Sequence, residues 1–327
     1  MSQLRLNPLT GRWVTIVAER AERPTDFAPR MAQVEGVARP CPFCPGNEDA
    51  TLPALNTYND AKGNWKVRAV PNLYPAFYGD EPLAVENHGP VWTSAPASGL
   101  HEVLVFTPRH HAQFADLNDD ECTLAMHATR DRMADHARNP RIRYTQAIVN
   151  YGREAGASLS HPHGQILGMG FVPGEILDEE AGFARFEGGC LMCATLESEV
   201  AVNERVVIEN DRVAIVCPYW SGTPFEMLVI PKQHELHMQD AADDDLAAVG
   251  CAIRDAVAGL RGLLGDVAYN IVFHAAPHSH SGPFHWHAHI WPFLVSIAGF
   301  ERGTGVLINI KPPELAATDL RRIAASV

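Results

Sequence analysis

Apolar and polar positions follow the same order twice along the chain. In each half, an apolar run of strand length ends at a histidine, and an acidic Asp/Asn stretch suited to a helix N-terminus comes next. A helix-length segment, a second strand, a Gly/Ser/Pro loop and a histidine-bearing strand complete the half. The predicted strands lie at 103–107, 145–150 and 161–167 in the first half, and at 228–230, 268–274 and 285–291 in the second. The predicted helices lie at about 118–137 and 242–264, and a last helix falls within 312–327.

A shift of 124 residues places 102–166 on 226–290 without a gap. The matching positions carry the same polar chemistry: His110 with His234, Asp119 with Asp243, Arg130 with Arg254, His161 with His285, and His163 with His287. Because these matches share one register, we interpret the halves as a tandem repeat rather than as chance similarity. The repeat predicts an α+β protein with two antiparallel sheets and flanking helices. The predicted domains are 1–185 and 186–327, with the seam within 182–189.

The composition narrows the classes of function. The chain has 327 residues, 46% of them apolar, and a formal net charge of −13. Sequence-independent binding of nucleic acid needs a basic protein surface, and no run of Lys or Arg in this chain supplies one. The apolar runs are shorter than the ~18 residues of a membrane span, and the first residues lack the apolar segment of a signal peptide. We therefore expect a cytoplasmic protein that binds neither nucleic acid nor a membrane.

Four of the seven cysteines form two Cys-x-x-Cys pairs. Cytosolic thiols are normally reduced, so this spacing indicates metal or redox chemistry. Structural zinc takes four ligands, commonly thiolate and imidazole. Because the candidate histidines of each half are 51 positions apart, the repeat predicts two parallel ligand sets: Cys41, Cys44, His110 and His161, and Cys190, Cys193, His234 and His285. Reduced thiols without a metal are the alternative, and a redox dithiol is disfavoured because no thioredoxin-like βαβ pattern follows.

The histidine-bearing strand of the first half is the candidate chemical centre. Alternate residues of a strand face the same side, so His161, His163 and Gln165 are expected to point together. A neutral imidazole is a good nucleophile near pH 7, so His163 can attack an α-phosphorus and hold a nucleotide as a phosphoramidate. Gln165 can donate a hydrogen bond to a phosphoryl oxygen, but an amide cannot act as a general acid. Transfer between phosphates suits that limit, because a phosphate leaving group needs no proton. The alternative is that these histidines are only metal ligands or buried hydrogen-bond partners.

Short sequence motifs are distributed along nearly the whole chain. They lie at 7–13, 20–24, 41–44, 150, 156–158, 161–165, 218–220, 224–226, 231–234, 274–277 and 287–289. Together they resemble the galactose-1-phosphate uridylyltransferase family of the histidine-triad superfamily. The resemblance implies a tandem histidine-triad-like fold and a ping-pong exchange. UDP-glucose would load UMP onto His163 and release glucose 1-phosphate, and a second sugar 1-phosphate would take the UMP. The resemblance also implies a homodimer whose active sites are completed by the neighbouring subunit.

The resemblance assigns roles to further residues by position. Arg20 and Arg23 match arginines that help to bind the phosphates and the sugar. The residues that match the surroundings of the transferred phosphate are Asn150, Gly156 and Ser158. Gln165 matches the glutamine that replaces the last histidine of the hydrolytic triads.

Two features depart from the galactose enzymes. Some of those enzymes bind a second metal through one Glu and three His, which here are Glu179, His274, His287 and His289. The related ADP-glucose phosphorylases of plants instead have a Cys/Cys/His/His zinc, which matches the Cys190 set. We favour the cysteine set, because thiolates are strong zinc ligands and the repeat predicts it; iron or zinc on the glutamate set is the alternative. The galactose enzymes also carry a Tyr-Glu pair near the C-terminus, whereas 299–310 has apolar residues there, closer to the phosphorylases.

These observations leave several functions to compare. The main hypothesis is a sugar-1-phosphate nucleotidyltransferase, and the alternative is a nucleotide-sugar phosphorylase with inorganic phosphate as acceptor, because both use the same nucleophile. A nucleotide hydrolase is disfavoured, since no acid replaces Gln165 to protonate a poor leaving group. A non-enzymatic zinc-binding module would not need Gln165, Arg20 and Arg23. The acceptor and the base stay open at this point.

Overall fold

The structure is a computed structural model that describes residues 2–17 and 40–324. The strands are β1 (Gln3–Leu6), β2 (Trp13–Ile16), β3 (Asn56–Asn59), β4 (Trp65–Pro71), β5 (Glu86–Asn87), β6 (Thr93–Ser94), β7 (Gly99–Val105), β8 (Tyr144–Tyr151), β9 (His163–Met169), β10 (Val206–Glu209), β11 (Val213–Val216), β12 (Met227–Pro231), β13 (Tyr269–His274), β14 (His287–Pro292) and β15 (Leu307–Asn309). The helices are α1 (Asp119–Ala137), α2 (Gly174–Arg185), α3 (Leu191–Val202), α4 (Asp243–Leu264), α5 (Gly299–Thr304) and α6 (Pro313–Ala324). Within the described ranges, no helix combines the length and apolar character of a membrane span.

The large sheet has ten strands in the order β10-β11-β12-β14-β13-β8-β9-β7-β4-β3. The order is the same from both ends, because each of these strands in the first repeat unit has a counterpart in the second unit. The pairs are β4 with β11, β7 with β12, β9 with β14, and β8 with β13. The α+β class with antiparallel sheets and flanking helices is confirmed. The sheets of the two units are nevertheless continuous, since β8 and β13 pair antiparallel from Ala147↔Phe273 to Tyr151↔Tyr269. Each unit thereby satisfies the backbone groups of an edge that would otherwise stay open.

The predicted helices of the repeat are α1 and α4, within a residue or two of the expected bounds. α1 begins with a reciprocal cap, in which Asn118 Oδ1 accepts from the Glu121 N–H at 2.9 Å and the Glu121 carboxylate accepts from the Asn118 N–H at 3.0 Å. The histidine-bearing strands begin two residues later than expected. His161 and His285 therefore lie in the loops that lead into β9 and β14.

Different helices pack against the two faces of the large sheet. Val213 and Ile215 point into the core beneath α4, and α1 lies beside α4 on that face. Ala214 and Val216 point to the other face, where α2 and α3 cover the second unit. This alternation is the two-residue period of a strand. On the equivalent face of the first unit, β7 and β9 border a cavity.

α1 and α4 pack against each other across the pseudo-two-fold axis. Asp119 of α1 accepts from Arg254 of α4 at 2.5 Å. Asp243 of α4 accepts from Arg130 of α1, so the repeat forms the same ion pair twice. Both carboxylates are exposed to solvent, so these ion pairs contribute little to stability. Each helix supplies the Asp of one pair and the Arg of the other. The two helices therefore pack through equivalent surfaces, as in a symmetric dimer.

α2 connects the two units and contacts the second. It precedes the predicted boundary at 185/186, yet its Phe183 packs with Leu9 and Phe284 in the core of the second unit. The N-terminal turn crosses α2 so closely that a Cβ atom on Gly182 would overlap the Leu9 carbonyl oxygen. The division into 1–185 and 186–327 stays a prediction.

Gly250 provides a test of the contact between α1 and α4. A Cβ atom there would lie 2.7 Å from Met126 Cγ and 2.9 Å from the Cys122 carbonyl oxygen, so α1 would have to shift. We expect Gly250→Ala to lower the free energy of unfolding by about 1–3 kcal/mol, as overpacking does. Gly259→Ala on the same helix meets nothing within 4 Å and should stabilise by about 0.5–1 kcal/mol through helix propensity. Denaturant unfolding measures both effects, and a stabilised Gly250→Ala protein would contradict the close approach.

Candidate active site and metal centres

A cavity of about 1000 Å³ opens on the face of β7 and β9 that points away from α1. In the register of these strands Val103 pairs with Gln165 and Val105 with His163. Strand alternation therefore places His101, Val103, His163 and Gln165 on the cavity face, and all four line it. The other lining residues fall within 40–44, 50–52, 70–74, 110–111 and 158–160. The volume is at the upper end of the ~300–1,000 Å³ typical of small-ligand sites.

His163 is held in one tautomer by the backbone. The side chain is buried, with 7% of its surface exposed, and Nδ1 lies 2.8 Å from the carbonyl oxygen of His161. A carbonyl only accepts, so Nδ1 carries the proton and Nε2 carries the lone pair of the neutral ring. Burial lowers the pKa of His163, which favours this neutral form. The ring packs against Phe43 with 5.4 Å between centroids, so His163 combines a fixed orientation with an unprotonated Nε2.

The end of β8 and the loop that follows it bring predicted residues beside His163. Ser158 lines the large cavity with His163, and Asn150 lines a smaller recess with it. Asn150 Oδ1 accepts from Asn270 Nδ2 at 2.7 Å, which fixes the orientation of the Asn150 amide. Gly156 has φ +90°, a conformation strained for any residue with a side chain, so its part is to shape the loop.

The first predicted ligand set forms a compact cluster. The ligand atoms of Cys41, Cys44, His110 and His161 all lie within 4.8 Å of one another. Cys44 Sγ is 3.3 Å from His110 Nδ1, and both sulfurs are 3.8 Å from His161 Nδ1. Tetrahedral zinc with ordinary bond lengths separates sulfur and nitrogen by about 3.6 Å, so the spacing fits one four-coordinate ion. His161 Nε2–H donates to the Thr107 carbonyl at 2.7 Å, which leaves Nδ1 as the ligand atom.

The second ligand set repeats this geometry. Cys190, Cys193, His234 and His285 also place their ligand atoms within 4.8 Å of one another. Cys193 Sγ is 3.5 Å from Nδ1 of both histidines, and His285 Nε2–H donates to the Pro231 carbonyl at 3.0 Å. Burial and the neighbouring Cys190 raise the pKa of Cys193 to about 12. A cation would therefore be needed to keep the Cys193 thiol ionised at neutral pH.

Glu179, His274, His287 and His289 form a third cluster, which is fully buried. The sequence analysis treated these residues as an alternative to the Cys190 set, but the structure contains both sets as separate groups. His274 Nδ1 lies 2.8 Å from Glu179 Oε1. Glu179 Oε2, His287 Nε2 and both ring nitrogens of His289 are buried and have no hydrogen-bond partner in the described part of the chain. Four convergent groups, three of which have unsatisfied atoms, fit a bound cation.

The negative charge of Glu179 is consistent with a bound cation at this cluster. Burial alone would raise the pKa of the Glu179 carboxyl, but the nearby His274 and His287 outweigh it and lower the pKa. Burial lowers the pKa of His289 to about 4, so that ring is neutral at pH 7 and offers a lone pair.

The third cluster occupies the place in the second unit that corresponds to the His163 site in the first. By the repeat, His287 and His289 match His163 and Gln165, and His287 Nδ1–H donates at 2.9 Å to the carbonyl two residues before it, as His163 does. In the second unit α2 inserts Glu179 beside these histidines. The same strand pair therefore borders an open cavity in one unit and a buried polar cluster in the other.

Positive charge is scarce around the cavity. Among the described residues that line it, none is Lys or Arg. Arg20 and Arg23, which the sequence assigns to phosphate and sugar binding, lie outside the described residues. The described polar groups are imidazoles, hydroxyls and amides, so a phosphate-bearing ligand would draw its cationic partners from another part of the protein.

His101 and Asn72 lie beside Gln165 in the cavity but were not identified by the sequence analysis. His101 Nε2 lies 2.8 Å from Gln165 Oε1 and 3.0 Å from Asn72 Nδ2. The comparison of the halves could not reveal His101, because it lies just before the matched segment and its counterpart is Phe225. Strand alternation places His101 on the face of Gln165, but only once the register of β7 against β9 is known.

Comparison with known families identifies the class of protein. The family model described as "Galactose-1-phosphate uridyl transferase, N-terminal domain" matches residues 1–173, and the C-terminal domain model of the same family matches 146–308. The chain therefore belongs to the galactose-1-phosphate uridyl transferase family, which confirms the resemblance seen in its motifs.

Similar proteins extend along nearly the whole chain. An ADP-glucose phosphorylase of Arabidopsis thaliana is 31% identical over 332 residues, covering 98% of this chain and 93% of the relative. A galactose-1-phosphate uridylyltransferase of Haemophilus influenzae is 27% identical over 305 residues, covering 90% and 84%. The crystal structure of an ADP-glucose phosphorylase from Arabidopsis thaliana with bound ADP-glucose matches with a TM-score of 0.83 at 29% identity, covering 98% of each chain.

His161 and His163 are neighbours with different environments, and substitution should separate them. His161→Ala removes one of four clustered ligand atoms, so we expect it to remove about one metal equivalent and to lower the melting temperature by roughly 10 °C. His163→Ala leaves the cluster intact and should keep the metal content and the melting temperature near those of the parent. Thermal unfolding and metal analysis of chelator-free protein measure both, and the reverse pattern would show that the two roles are exchanged.

Proposed function

We propose that this chain is a nucleotidyltransferase that carries a nucleoside monophosphate on His163. The observation that carries the proposal is the geometry of His163, which lies in a cavity of about 1000 Å³ with Nδ1 bound to a backbone carbonyl and Nε2 available. A neutral imidazole held in this way is suited to attack phosphorus. Family membership and the similarity to the Haemophilus influenzae enzyme support UMP as the transferred group, with a nucleotide sugar as donor and a sugar 1-phosphate as acceptor.

The transfer proceeds in two displacements. His163 Nε2 forms a bond to the α-phosphorus while the bond from that phosphorus to the bridging oxygen breaks, and the sugar 1-phosphate leaves with the electron pair. The Nδ1 proton stays in place, and its hydrogen bond to the His161 carbonyl stabilises the positive charge of the substituted ring. An oxygen of the acceptor phosphate then attacks phosphorus, and the electron pair of the N–P bond returns to Nε2. Neither step needs a proton donor, which suits the amide of Gln165.

Binding of the phosphates would involve residues near and beyond the described cavity. Ser158 and Asn150 border His163, which supports contacts of both with the transferred phosphoryl group. Arg20 and Arg23 would supply the positive charge that the described lining lacks. Gly156 would contribute through the shape of the loop, since a side chain there is strained.

The two cysteine clusters are proposed to bind structural zinc. Thiolate and imidazole at these spacings suit tetrahedral Zn²⁺, and closed four-ligand sites contribute folding free energy. Cys41 and Cys44 precede the first unit and Cys190 and Cys193 precede the second, so each ion would tie the start of a unit to its histidine-bearing strand. The Glu179 cluster is proposed to bind a third divalent cation, iron or zinc, and its role would also be structural.

Phosphorolysis is a second candidate reaction. It is favoured by the 31% identity to an ADP-glucose phosphorylase, which exceeds the 27% identity to the Haemophilus influenzae transferase. In this reaction inorganic phosphate would attack the same His163 adduct and release a nucleoside diphosphate. The donor could then be ADP-glucose, with AMP as the transferred group.

The proposed assembly and location are those expected from the sequence. Large apolar side chains are exposed within residues 73–92, including Tyr74 at 85%, Tyr78 at 71% and Trp92 at 69%. Exposed apolar side chains concentrated in one segment are typical of an interaction surface, which supports a homodimer. The homodimer and the cytoplasmic location stay predictions, as does the lack of nucleic-acid and membrane partners.

A covalent adduct is the expected signature of the proposed function. Protein mixed with UDP-glucose or ADP-glucose, without an acceptor, should gain the mass of one nucleoside monophosphate, because none of the described residues that line the cavity is an Asp or Glu that could act as a general base for water. His163→Gly should lose this gain completely, whereas His88→Gly, which alters an exposed histidine of the β5–β6 hairpin, should keep it. Intact-mass spectrometry with peptide mapping measures the adduct. A stable adduct mapped to another residue would overturn the assignment of the nucleophile.

The acceptor can be identified from the isolated adduct. Glucose 1-phosphate should clear the added mass in either case, because it reverses the loading step, whereas galactose 1-phosphate or inorganic phosphate should clear it only if it is the acceptor. A nucleotide sugar formed with galactose 1-phosphate supports the transferase, and a nucleoside diphosphate formed with inorganic phosphate supports the phosphorylase. Clearance by water at the same rate as by any acceptor would favour a hydrolase.

Glu179→Gln should remove the third metal and spare the two zinc ions. The parent protein should contain about two zinc ions per chain in the cysteine clusters and one further divalent cation. Glu180→Gln is the matched control, since the neighbouring Glu180 pairs with His280 at 2.7 Å and belongs to none of the three clusters. Elemental analysis measures the content. Unchanged metal in Glu179→Gln would argue against a cation at this cluster.

A further inference from the structure

Gln165 has two ends of opposite hydrogen-bonding character, and their orientation decides what it offers a ligand. The amide oxygen accepts hydrogen bonds and the NH₂ group donates them. The two orientations fill nearly the same volume, so the neighbouring groups must select one. The neighbour on β7 is His101, whose Nε2 lies 2.8 Å from Gln165 Oε1.

The backbone determines which nitrogen of His101 carries the proton. The Ala76 N–H lies 3.0 Å from His101 Nδ1, and a backbone N–H only donates. Nδ1 must therefore accept with its lone pair, and the proton of the neutral ring lies on Nε2. Nε2–H in turn donates to Gln165 Oε1, which leaves the Gln165 NH₂ group unused by this pair.

Asn72 leaves this assignment unchanged. Its Nδ2 lies 3.0 Å from His101 Nε2, while its Oδ1 accepts from the Tyr74 N–H at 2.9 Å. If His101 Nε2 accepted from Asn72, the ring proton would move to Nδ1 and face the Ala76 N–H. Each tautomer sets one pair of donors against each other, but the Asn72 side chain can rotate to relieve its contact with Nε2–H, whereas the Ala76 backbone N–H is fixed, so the proton on Nε2 is favoured.

We infer that His101 is a positioning residue for nucleotidyl transfer. Its Nε2–H holds the oxygen of Gln165 and thereby directs the Gln165 NH₂ group to the phosphoryl group on His163. Gln165 and His163 lie two residues apart on the cavity face of β9, so the amide is within reach of the transferred group. A donor fixed before the reaction stabilises the developing charge on the phosphoryl oxygens, whereas a flipped amide would present an oxygen to them. The inference rests on the proposed function, because it assigns His101 a part in that reaction.

Substitution of His101 tests this role in the full-length protein. His101→Phe keeps a ring but removes both hydrogen bonds, and we expect kcat to fall by about 10- to 100-fold, since a donor to the transition state is no longer held in place. KM for the nucleotide sugar should change by less than about twofold, because Gln165 acts on the transition state. His101→Gln retains an NH₂ group that can donate to Gln165 and should recover most of the rate.

A double-mutant cycle distinguishes positioning from a general structural role. Gln165→Ala alone should lower kcat by about 10²- to 10³-fold. In the Gln165→Ala protein, His101→Phe should cause no further loss, because its partner is gone. An unchanged kcat in His101→Phe, or an equal loss in both backgrounds, would overturn the inference. A parent protein that forms no adduct on His163 would instead refute the proposed function itself, and with it this role of His101.

The tautomer gives a measurement that does not depend on the folding of His101→Phe. In protein labelled with ¹⁵N at histidine, the His101 ring should show a protonated Nε2 and an unprotonated Nδ1, with the signal assigned through its loss in His101→Gln. A proton on Nδ1 would overturn the inference whatever the kinetics show.

Discussion

The antiparallel pairing of β8 with β13 is the interaction on which the rest of the structure depends. It joins the inner edges of two homologous units into one sheet, and the rings of Tyr151 and Tyr269 stack across the junction with 5.0 Å between centroids. Because the strands of both units then share one twisted surface, α1 and α4 come together on one face and form the same ion pair twice. The opposite face is divided between the units, so each half of it can be covered differently. The position of the active site follows from that division.

The two units use equivalent strands for different purposes. In the first, β7 and β9 border a cavity in which His163 keeps an unprotonated Nε2. In the second, α2 closes the corresponding place and adds Glu179 to a cluster of histidines. Buried polar atoms without hydrogen-bond partners, as on Glu179, His287 and His289, would destabilise the core unless a cation bound them. Of this cluster only His287 matches a histidine of the first unit, His163, so a cation there would let the second unit keep that histidine in a supporting rather than a reactive role.

The sequence predicted most of what is local or repeated. The 124-residue shift located α1, α4 and the histidine-bearing strands, and it named both cysteine ligand sets before their atoms were seen to converge. It did not predict features that depend on contacts distant in sequence. The junction of β8 with β13 required knowledge of which edges remain open, and His101 required the register of β7 against β9. The Glu179 cluster was named only as an alternative, because nothing in the sequence shows that α2 reaches a site separate from Cys190. Arg20 and Arg23 lie outside the described residues, and their roles stay predictions.

The continuous sheet also affects how the chain is made. β8 ends at Tyr151, and its partner begins at Tyr269, so residues 152–268 must be synthesised before the junction can close. At ribosomal rates of about 5–20 residues per second, this takes roughly 6 to 24 seconds. During that time β9 covers one side of β8 while the other side is an unpaired edge, and nascent chains on the same messenger RNA present the same edge close by. Because β13 of one molecule can pair with β8 of another in the same register, an exchanged dimer would use the same contacts as the single chain. Slow elongation between these strands would therefore lengthen the time in which the edge of β8 is open to such exchange.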